Sequence, residues 1–300
     1  MAGFASVIIR TRNRARFLRR VLRSLACQTA DPEHFEIVVV NDGSEDNTDE
    51  ECQRLQSALP NMRHLSMKRH VGFGRAGNMG FKETRGDVIL FTDDDCIVKE
   101  DWVERMAAAL DQNPIIAGAI ASPTDKYIKL CHNIDEFHPF LLGRKSRPVK
   151  FIAGANMGFQ RAIFEELKGF RVNGHLCQDM ELILRARSLG YYPYFEAEAI
   201  VTHDPDRNTF AAALSHSAFR ASETILLRKQ YRSLLKTPVV LRSPLLLLAF
   251  APLIALKVTT GIYFGNRRLI RHLWSVPVVY LLKLAWCWGA ARSLWKRGKK

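Results

Sequence analysis

Residues 88–96 read VILFTDDDC, an apolar run that ends in three consecutive carboxylates, Asp93, Asp94 and Asp95. A short apolar run bounded by polar residues is typical of a buried strand. Carboxylates this close raise one another's pKa values unless a positive charge offsets them. Oxygen ligands of this kind suit Mg²⁺ or Mn²⁺. The stretch therefore predicts a strand that ends at a divalent-metal site, and the alternative is a solvated acidic turn before the next helix.

Apolar strands and amphipathic helices alternate on both sides of this stretch, which predicts an α/β fold with a mainly parallel central sheet. The predicted strands are residues 6–10, 35–40, 63–67, 88–92 and 115–121, and the predicted helices are 14–27, 46–58, 75–84 and 101–112. Ligands bind at the carboxyl ends of parallel strands. We therefore expect Thr11, Arg12, Asn41 and Asp42 to lie beside the three aspartates.

The pattern changes after residue 122. Residues 126–150 are irregular, and with His132, His138 and Arg144 they form either a candidate acceptor-binding loop or a solvated connection. Beyond them, the pattern predicts strands at 151–153, 191–195 and 199–202, and helices at 162–168, 179–190 and 209–236.

Two further motifs carry carboxylates where chemistry is possible. In FEIVVVNDGSEDNT, Asp42 ends a strand, where it can accept a hydrogen bond from a base or a ribose, or simply form an Asp-Gly turn. In CQDMELILRARSLGY, Asp179 and Glu181 lie in the first turn of a helix. Asp179 can act as a general base there, or both carboxylates can merely complement the helix dipole.

The stretch HVGFGRAGNMG contains Gly72, Gly74 and Gly77 in the G-x-G-x-x-G spacing of a dinucleotide fingerprint. That fingerprint directly follows a strand. Here the preceding strand, 63–67, is short and polar, and three polar residues separate it from Gly72. The context therefore disfavours a dinucleotide site.

Charge is concentrated in the last third of the chain. The 300 residues contain 44 Lys and Arg against 30 Asp and Glu, a net charge of +14. Residues 201–300 account for the whole excess, and no acidic residue follows Glu223. Because basic residues interrupt apolar runs rather than lining a polar face, the pattern favours an anionic membrane surface and argues against nucleic acid.

The apolar runs at 238–264 and 274–291 are interrupted by prolines and basic residues, whereas a spanning helix needs about 20 predominantly apolar residues. Basic residues flank both runs, so all the junctions favour the cytoplasmic side. We therefore expect interfacial or re-entrant helices rather than a hairpin through the bilayer. The six cysteines are scattered, and no signal peptide is evident at the first residues. These features predict reduced thiols and a protein at the cytoplasmic face of the membrane.

Six motifs in order, VIIRTRNR, VVVNDGS, GFGRAGNMG, FTDDD, AGANMGFQR and QDMELILRARSLGY, make residues 5–203 resemble the family 2 glycosyltransferases. The resemblance implies a GT-A nucleotide-sugar-binding fold. We accordingly predict a catalytic domain at 1–207, a connecting amphipathic helix at 208–237 and a membrane-associated helical tail at 238–300.

The resemblance also assigns roles to individual residues. It implies that Asp93 and Asp95 hold Mn²⁺ or Mg²⁺ against the donor diphosphate, with His203 reaching the metal or phosphate, and that Asp179 is the base of an inverting transfer. The residues implied to contact the nucleotide or donor sugar are Thr11, Arg12, Asp42, Arg75, Asn78, Asp93, Asp94, Gly154, Ala155 and Asn156. Gln178 and His70 depart from the residues common in the family.

The predicted function is transfer of a sugar from a nucleotide-diphosphate sugar, with a UDP-sugar as the expected donor, to a lipid-linked saccharide or glycolipid acceptor. Three alternatives stay open. A nucleotidyltransferase can use the same acidic metal site, an NAD-binding oxidoreductase would use Gly72, Gly74 and Gly77, and a noncatalytic membrane-binding protein would do neither.

Overall fold

The computed structural model describes residues 3–172 and 177–297, which form two compact units. The first unit comprises 3–121, 145–172 and 178–204, and the second comprises 122–144, Cys177 and 205–297. The boundary near residue 204 lies close to the one predicted at 207. Residues 122–144, however, belong with the C-terminal segments rather than with the segments around them in the chain.

A nine-stranded sheet forms the centre of the first unit, in the order β3-β2-β1-β4-β8-β6-β9-β5, with β7 paired to β9. Strands β1 to β4 are mutually parallel, whereas β8 runs antiparallel to both β4 and β6. The strands are β1 Ala5–Thr11, β2 Phe35–Asn41, β3 Met62–Ser66, β4 Val88–Asp93, β5 Cys96–Val98, β6 Ile115–Ala121, β7 Arg147–Pro148, β8 Asn156–Gln160 and β9 Tyr194–His203.

Helices cover the sheet because each presents one apolar face. In α1 the residues at positions 17, 18, 21, 22 and 25 are buried, which is the spacing of a single helix face. Numbered along the chain, the helices of this unit are α1 Ala15–Ala26, α2 Thr48–Gln56, α3 Phe73–Lys82, α4 Trp102–Gln112, α6 Arg161–Glu166 and α7 Gln178–Ser188. A short 3₁₀ helix spans Pro32–His34.

The early strands and helices are confirmed within two residues at most of their ends. The sheet is parallel from β1 to β4, as expected, and β8 enters antiparallel between β4 and β6. Two later expectations are wrong. The expected strand at 151–153 is only an isolated bridge at Ala153. Residues 191–202 were expected to form two strands, but a single strand, β9, spans Tyr194–His203, with a register shift against β6 between Glu196 and Ile200.

Strand β8 has an atypical sequence, NMGFQ, because its neighbours need a small residue at its centre. A Cβ atom at Gly158 would lie 2.9 Å from Leu110 and 3.0 Å from Leu90. The missing side chain leaves room on this face of the sheet for Leu90 of β4 and for Leu110 of α4, at the expense of the apolar pattern that would have revealed the strand.

The second unit is helical. Its helices are α5 Tyr127–Phe137, α8 Phe210–Gln230, α9 Pro244–Ala249, α10 Ala251–Phe264 and α11 Val276–Arg297, with 3₁₀ segments at Val239–Leu241 and Arg267–Ser275. Helices α8 and α11 pack backbone to backbone, since a Cβ atom at Gly289 would collide with the carbonyl oxygen of Ala218. A buried ion pair joins α5 to α11, with Nζ of Lys283 2.8 Å from Oδ1 of Asp135.

In the described part of the chain, one helical stretch, Arg267–Lys296, is long and apolar enough to cross a membrane by length and composition. Its apolar 18-residue window has a mean hydropathy of 1.3, and 39% of that window is buried. The stretch includes a kink at His272. The core helix of a soluble protein passes the same test.

Candidate active site

The ends of four strands place the predicted polar residues at one edge of the sheet. The strand register puts Arg10 opposite Asp93, Thr11 opposite Asn41, and Cys96 opposite His203. Asp94 and Asp95 form the turn between β4 and β5. The expectation that strand ends gather these side chains is therefore met by the register itself.

The three aspartates are unequal in their surroundings. Asp94 is buried and accepts hydrogen bonds from Oγ1 of Thr11 at 2.8 Å and from Nη1 of Arg14 at 2.6 Å. Asp95 accepts from Nη2 of Arg14 at 3.0 Å. Burial raises the pKa of Asp93 to about 6 and that of Asp94 to about 7. A cluster whose carboxyls resist ionisation is one that a nearby cation stabilises.

His203 at the end of β9 extends this cluster. Its Nε2 lies 3.5 Å from Oδ1 of Asp95, and both side chains are buried. The backbone N–H of Asp204 donates to the carbonyl of Asp95 at 2.8 Å, which holds the two segments together. Carboxylates with an added imidazole are ligands that Mn²⁺ accepts, and carboxylates suit Mg²⁺. The residues present therefore fit the predicted divalent cation.

Two arginines that were not among the predicted site residues are central to the cluster. Arg14 bridges Asp94 and Asp95. Arg10 is buried, with its guanidinium carbon 3.2 Å from the ring centroid of Phe73 and one nitrogen 3.5 Å from Asp93. In the described residues its Nε and Nη1 are buried without a hydrogen-bond partner. The sequence feature that could have identified Arg10 is a charged residue at the end of the apolar run VIIR, since a buried charge requires a partner.

Asp179 joins the same electrostatic environment from the first turn of α7. Its Oδ2 accepts a hydrogen bond from the backbone N–H of Gly154 at 3.1 Å. Its charge contributes to raising the pKa of Asp93, after burial and the charge of Asp95. A Cβ atom at position 154 would lie 3.1 Å from the same Oδ2. The absence of a side chain at Gly154 thus allows the loop to orient this carboxylate.

Asp42 accepts hydrogen bonds from the backbone of the loop before α3. Its two carboxylate oxygens accept from the N–H groups of Val71 at 2.6 Å and Gly72 at 3.0 Å, and His70 lies 2.9 Å away. The following Gly43 has φ +66°, a conformation that favours glycine. Asp42 therefore shapes the loop that leads into α3.

Two of the predicted donor contacts serve internal structure. Asn156 is fully buried, where its amide donates to the carbonyls of Ala119 and Ala199 and accepts from Nε1 of Trp102, each at 2.9 Å. Asn78 exchanges two 2.8 Å hydrogen bonds with the backbone of Phe170. The structure thus corrects the prediction for the Asn156 side chain, which lies in the core where a donor cannot reach it.

The remaining predicted contacts differ in exposure. Arg12 and Arg75 are exposed, whereas Ala155 is buried and its carbonyl accepts from Oγ1 of Thr92 at 3.0 Å. Thr11 is buried through its bond to Asp94.

The glycine pattern of the dinucleotide fingerprint has a packing explanation. A Cβ atom at Gly74 would lie 2.6 Å from Oε1 of Gln178, and one at Gly77 would lie 2.9 Å from the ring of Phe170. Helix α3 therefore needs small residues to approach these two segments. Strand β3 ends at Ser66 and α3 begins at Phe73, so the pattern does not follow its strand directly.

A further group of possible metal ligands lies in the second unit. His132, Glu136 and His216 bring their ligand atoms within 4.8 Å of one another. However, Arg220 lies 3.1 Å from Glu136, and Arg207 lies 3.4 Å from Nε2 of His132. The Glu136 carboxylate is thus paired with Arg220 and also lies beside the two histidines.

The structure also corrects the prediction that residues 126–150 are irregular, because α5 Tyr127–Phe137 forms part of this segment. His132 and His138 lie on or directly after α5, and Nε of Arg144 donates to the carbonyl of His138 at 2.9 Å. His132 is buried. The segment reads as irregular because α5 takes its partners from distant parts of the second unit.

A sheet whose strand ends gather an acidic cluster, two arginines and a helix-borne carboxylate agrees with the GT-A fold that the sequence resemblance implies. The family model described as "Glycosyl transferase family 2" matches residues 6–168, more than half of the chain. The chain belongs to this family.

Relatives and solved structures agree with this assignment. The chain is 32% identical over 102 residues to the glycosyltransferase AglE of Haloferax volcanii, which covers 34% of each protein. It is 30% identical over 109 residues to the poly(ribitol-phosphate) β-N-acetylglucosaminyltransferase TarS of Staphylococcus aureus, covering 36% of this chain and 19% of that protein. The match thus spans about a third or less of these relatives' length.

The mannosyltransferase PcManGT of Pyrobaculum calidifontis, solved with GDP-Man and Mn²⁺, superposes with a TM-score of 0.65 at 17% identity. The superposition covers 99% of this chain and 88% of that one. TarS residues 1–349 with UDP-GlcNAc superpose with a TM-score of 0.54 at 18% identity, covering 74% of this chain and 66% of that one. At these identities the likeness shows the fold.

Proposed function

We propose that the protein is an inverting glycosyltransferase that moves a sugar from a nucleotide-diphosphate sugar to a lipid-linked saccharide or glycolipid at the cytoplasmic face of a membrane. One observation carries the proposal. The acidic turn at Asp93 to Asp95 and the carboxylate of Asp179 share one electrostatic environment, which supplies a metal-binding group and a base for a single displacement.

The metal ligands in this proposal are Asp93 and Asp95, with His203 close to Asp95. A divalent cation held there offsets the negative charge that develops on the departing nucleoside diphosphate. Arg10 contributes a positive charge beside Asp93, and its buried N–H groups are suited to phosphate oxygens.

Asp179 takes the proton from the attacking acceptor hydroxyl, and the N–H of Gly154 keeps its carboxylate in position. Thr11, Arg12 and Asp42 lie at strand ends suited to the nucleotide. Because Asp42 already binds the backbone at residues 71 and 72, its contribution is to shape this wall of the site.

A UDP-sugar is the donor that we propose. The neighbours with bound donors carry different nucleotides, GDP-Man in PcManGT and UDP-GlcNAc in TarS. A panel of donors with both nucleotides is therefore the first measurement.

The lipid acceptor and the membrane location rest on the second unit. Several large apolar side chains on and near its helices are exposed, including Leu253 at 61% and Phe264 at 89%. They occur in a stretch that is basic and contains no acidic residue after Glu223. Exposed apolar surface combined with positive charge favours an anionic membrane surface.

The test measures release of nucleoside diphosphate across a panel of UDP- and GDP-sugars, with Mn²⁺, Mg²⁺ or EDTA. We expect one donor to be hydrolysed slowly in a metal-dependent way, and the Asp93→Ala/Asp95→Ala variant to lose this activity. The control variant Glu33→Ala/Glu100→Ala removes two exposed carboxylates from the same unit and should remain active. Turnover of a nucleoside triphosphate with release of pyrophosphate would instead favour a nucleotidyltransferase.

A further inference from the structure

A cavity of about 560 Å³ lies within the second unit, and every residue that lines it belongs to that unit. The end of α8, the segment leading into α9 and the last turns of α11 form its walls. None of its residues belongs to the acidic cluster or to the nucleotide-binding positions. The cavity is therefore a second candidate binding site with its own chemistry.

The polar part of the lining is strongly basic. Arg228, Lys229, Arg232 and Arg242 all line the cavity, and no carboxylate does. Nε of Arg242 donates to the carbonyl of Thr237 at 3.0 Å, which fixes one of the four cations in place. Four positive charges around one cavity repel one another unless an anion lies among them.

Arg228 is the most informative of the four. Its Nε is buried and has no hydrogen-bond partner among the described residues. Burial lowers its pKa, and no neighbouring carboxylate acts in the opposite direction. A partly buried arginine with an unpartnered buried Nε is suited to an oxyanion, and its planar fork matches the geometry of phosphate.

The rest of the lining is apolar and extends to the surface. Leu245 and Trp295 line the cavity and are 65% and 49% exposed, and Leu294 lies beside Trp295. An exposed leucine and an exposed tryptophan in the wall of a basic pocket are suited to the boundary between lipid headgroups and acyl chains. A free inorganic phosphate would use the cations and leave this apolar wall without a partner.

We infer that this cavity binds the phosphate headgroup of an anionic membrane lipid, with the acyl chains against the apolar wall at Leu245 and Trp295. The inference rests on the proposed membrane association and adds a particular site to it. Such a site gives the protein a preference for anionic over zwitterionic membranes that depends on the geometry of one pocket rather than on total charge.

The experiment measures binding of the full-length protein to phosphatidylcholine vesicles with and without phosphatidylglycerol, by co-flotation. The pocket variant is Arg228→Gln/Arg232→Gln. The matched control, Arg267→Gln/Arg271→Gln, removes two exposed charges from the same unit outside the cavity. At about 1 kcal/mol for each basic residue near an anionic surface, losing two charges weakens binding about thirtyfold.

Because this factor applies to any two charges near the membrane, we expect the pocket variant to lose its preference for phosphatidylglycerol by more than thirtyfold, and the control to lose no more than about thirtyfold. Equal losses in the two variants would mean that the attraction is a general charge effect, and would overturn the site. If soluble glycerol 3-phosphate displaces the protein from phosphatidylglycerol vesicles as effectively as competing vesicles do, the ligand is a free phosphate and the proposed lipid site is overturned.

The same measurement separates this inference from the proposed function. A wild-type protein that binds no vesicles contradicts the membrane association itself. A wild-type protein that binds both vesicle types equally contradicts only the lipid site. Arg228→Lys separates charge from geometry, because it keeps the positive charge but removes the planar fork. Unchanged donor hydrolysis in each variant shows that the first unit is intact.

Discussion

Asp179 and Glu181 lie two residues apart in the first turn of α7, and they offer a matched pair of substitutions. Asp179 accepts from the N–H of Gly154, whereas Glu181 is buried and accepts from Nε of Arg185 at 2.9 Å. The geometry predicts that Asp179→Asn removes the general base without destabilising the fold. Glu181→Gln should destabilise the fold without changing the rate of the chemical step.

The expected magnitudes follow from these contacts. A general base contributes about 10²- to 10⁴-fold to a rate, or about 3 to 5 kcal/mol in the activation free energy. An asparagine retains an oxygen that can accept from the N–H of Gly154, so KM for the donor should stay close to the wild-type value. In Glu181→Gln the guanidinium of Arg185 loses its buried carboxylate partner, which lowers the free energy of unfolding by about 1.5 to 3 kcal/mol.

The assay combines steady-state transfer kinetics with thermal unfolding of both variants. We expect kcat to fall at least a hundredfold in Asp179→Asn with little change in Tm. For Glu181→Gln we expect a lower Tm and a kcat near the wild-type value. An Asp179→Asn variant that retains wild-type kcat refutes the base assignment, and equal losses of kcat in the two variants would attribute the effect to distortion of α7.

Three further predictions concern the loop, the metal and the helical unit. Gly154→Ala places a Cβ atom 3.1 Å from Oδ2 of Asp179, so kcat should fall by about tenfold while the donor KM stays unchanged. A tenfold loss corresponds to about 1.4 kcal/mol in the activation free energy. An unchanged kcat would show that the loop does not orient the carboxylate. EDTA should abolish donor hydrolysis and added Mn²⁺ or Mg²⁺ should restore it, whereas activity in EDTA would remove the metal from the reaction. Lys283→Met should lower the free energy of unfolding by about 3 kcal/mol, because Asp135 stays buried without its ammonium partner. The double variant with Asp135→Asn should recover part of this loss. Chemical denaturation measures the free energy of unfolding of both variants.

Features that depend on neighbours in sequence could be predicted from the sequence. The strand before Asp93 and the helix that carries Asp179 follow from local apolar patterns, and their polar ends follow from the way parallel strands terminate. The early βα units were predictable for the same reason.

Features that depend on partners distant in the chain were not predictable. Helix α5 lacks a clear local pattern because its polar residues pair with Arg220 and Lys283, more than 80 residues away in the chain. Strand β8 is hidden by a glycine that leaves room for Leu90 of β4 and Leu110 of α4.

The α/β framework, the acidic turn and the carboxylate of α7 can be read from the chain alone, because each is encoded by residues close together in sequence. That Arg14 bridges Asp94 and Asp95, that Asn156 lies in the core, and which basic residues surround one cavity become evident only in the folded protein. A charged or polar side chain takes its role from the partners that burial leaves available, and folding brings together partners that are far apart in the chain.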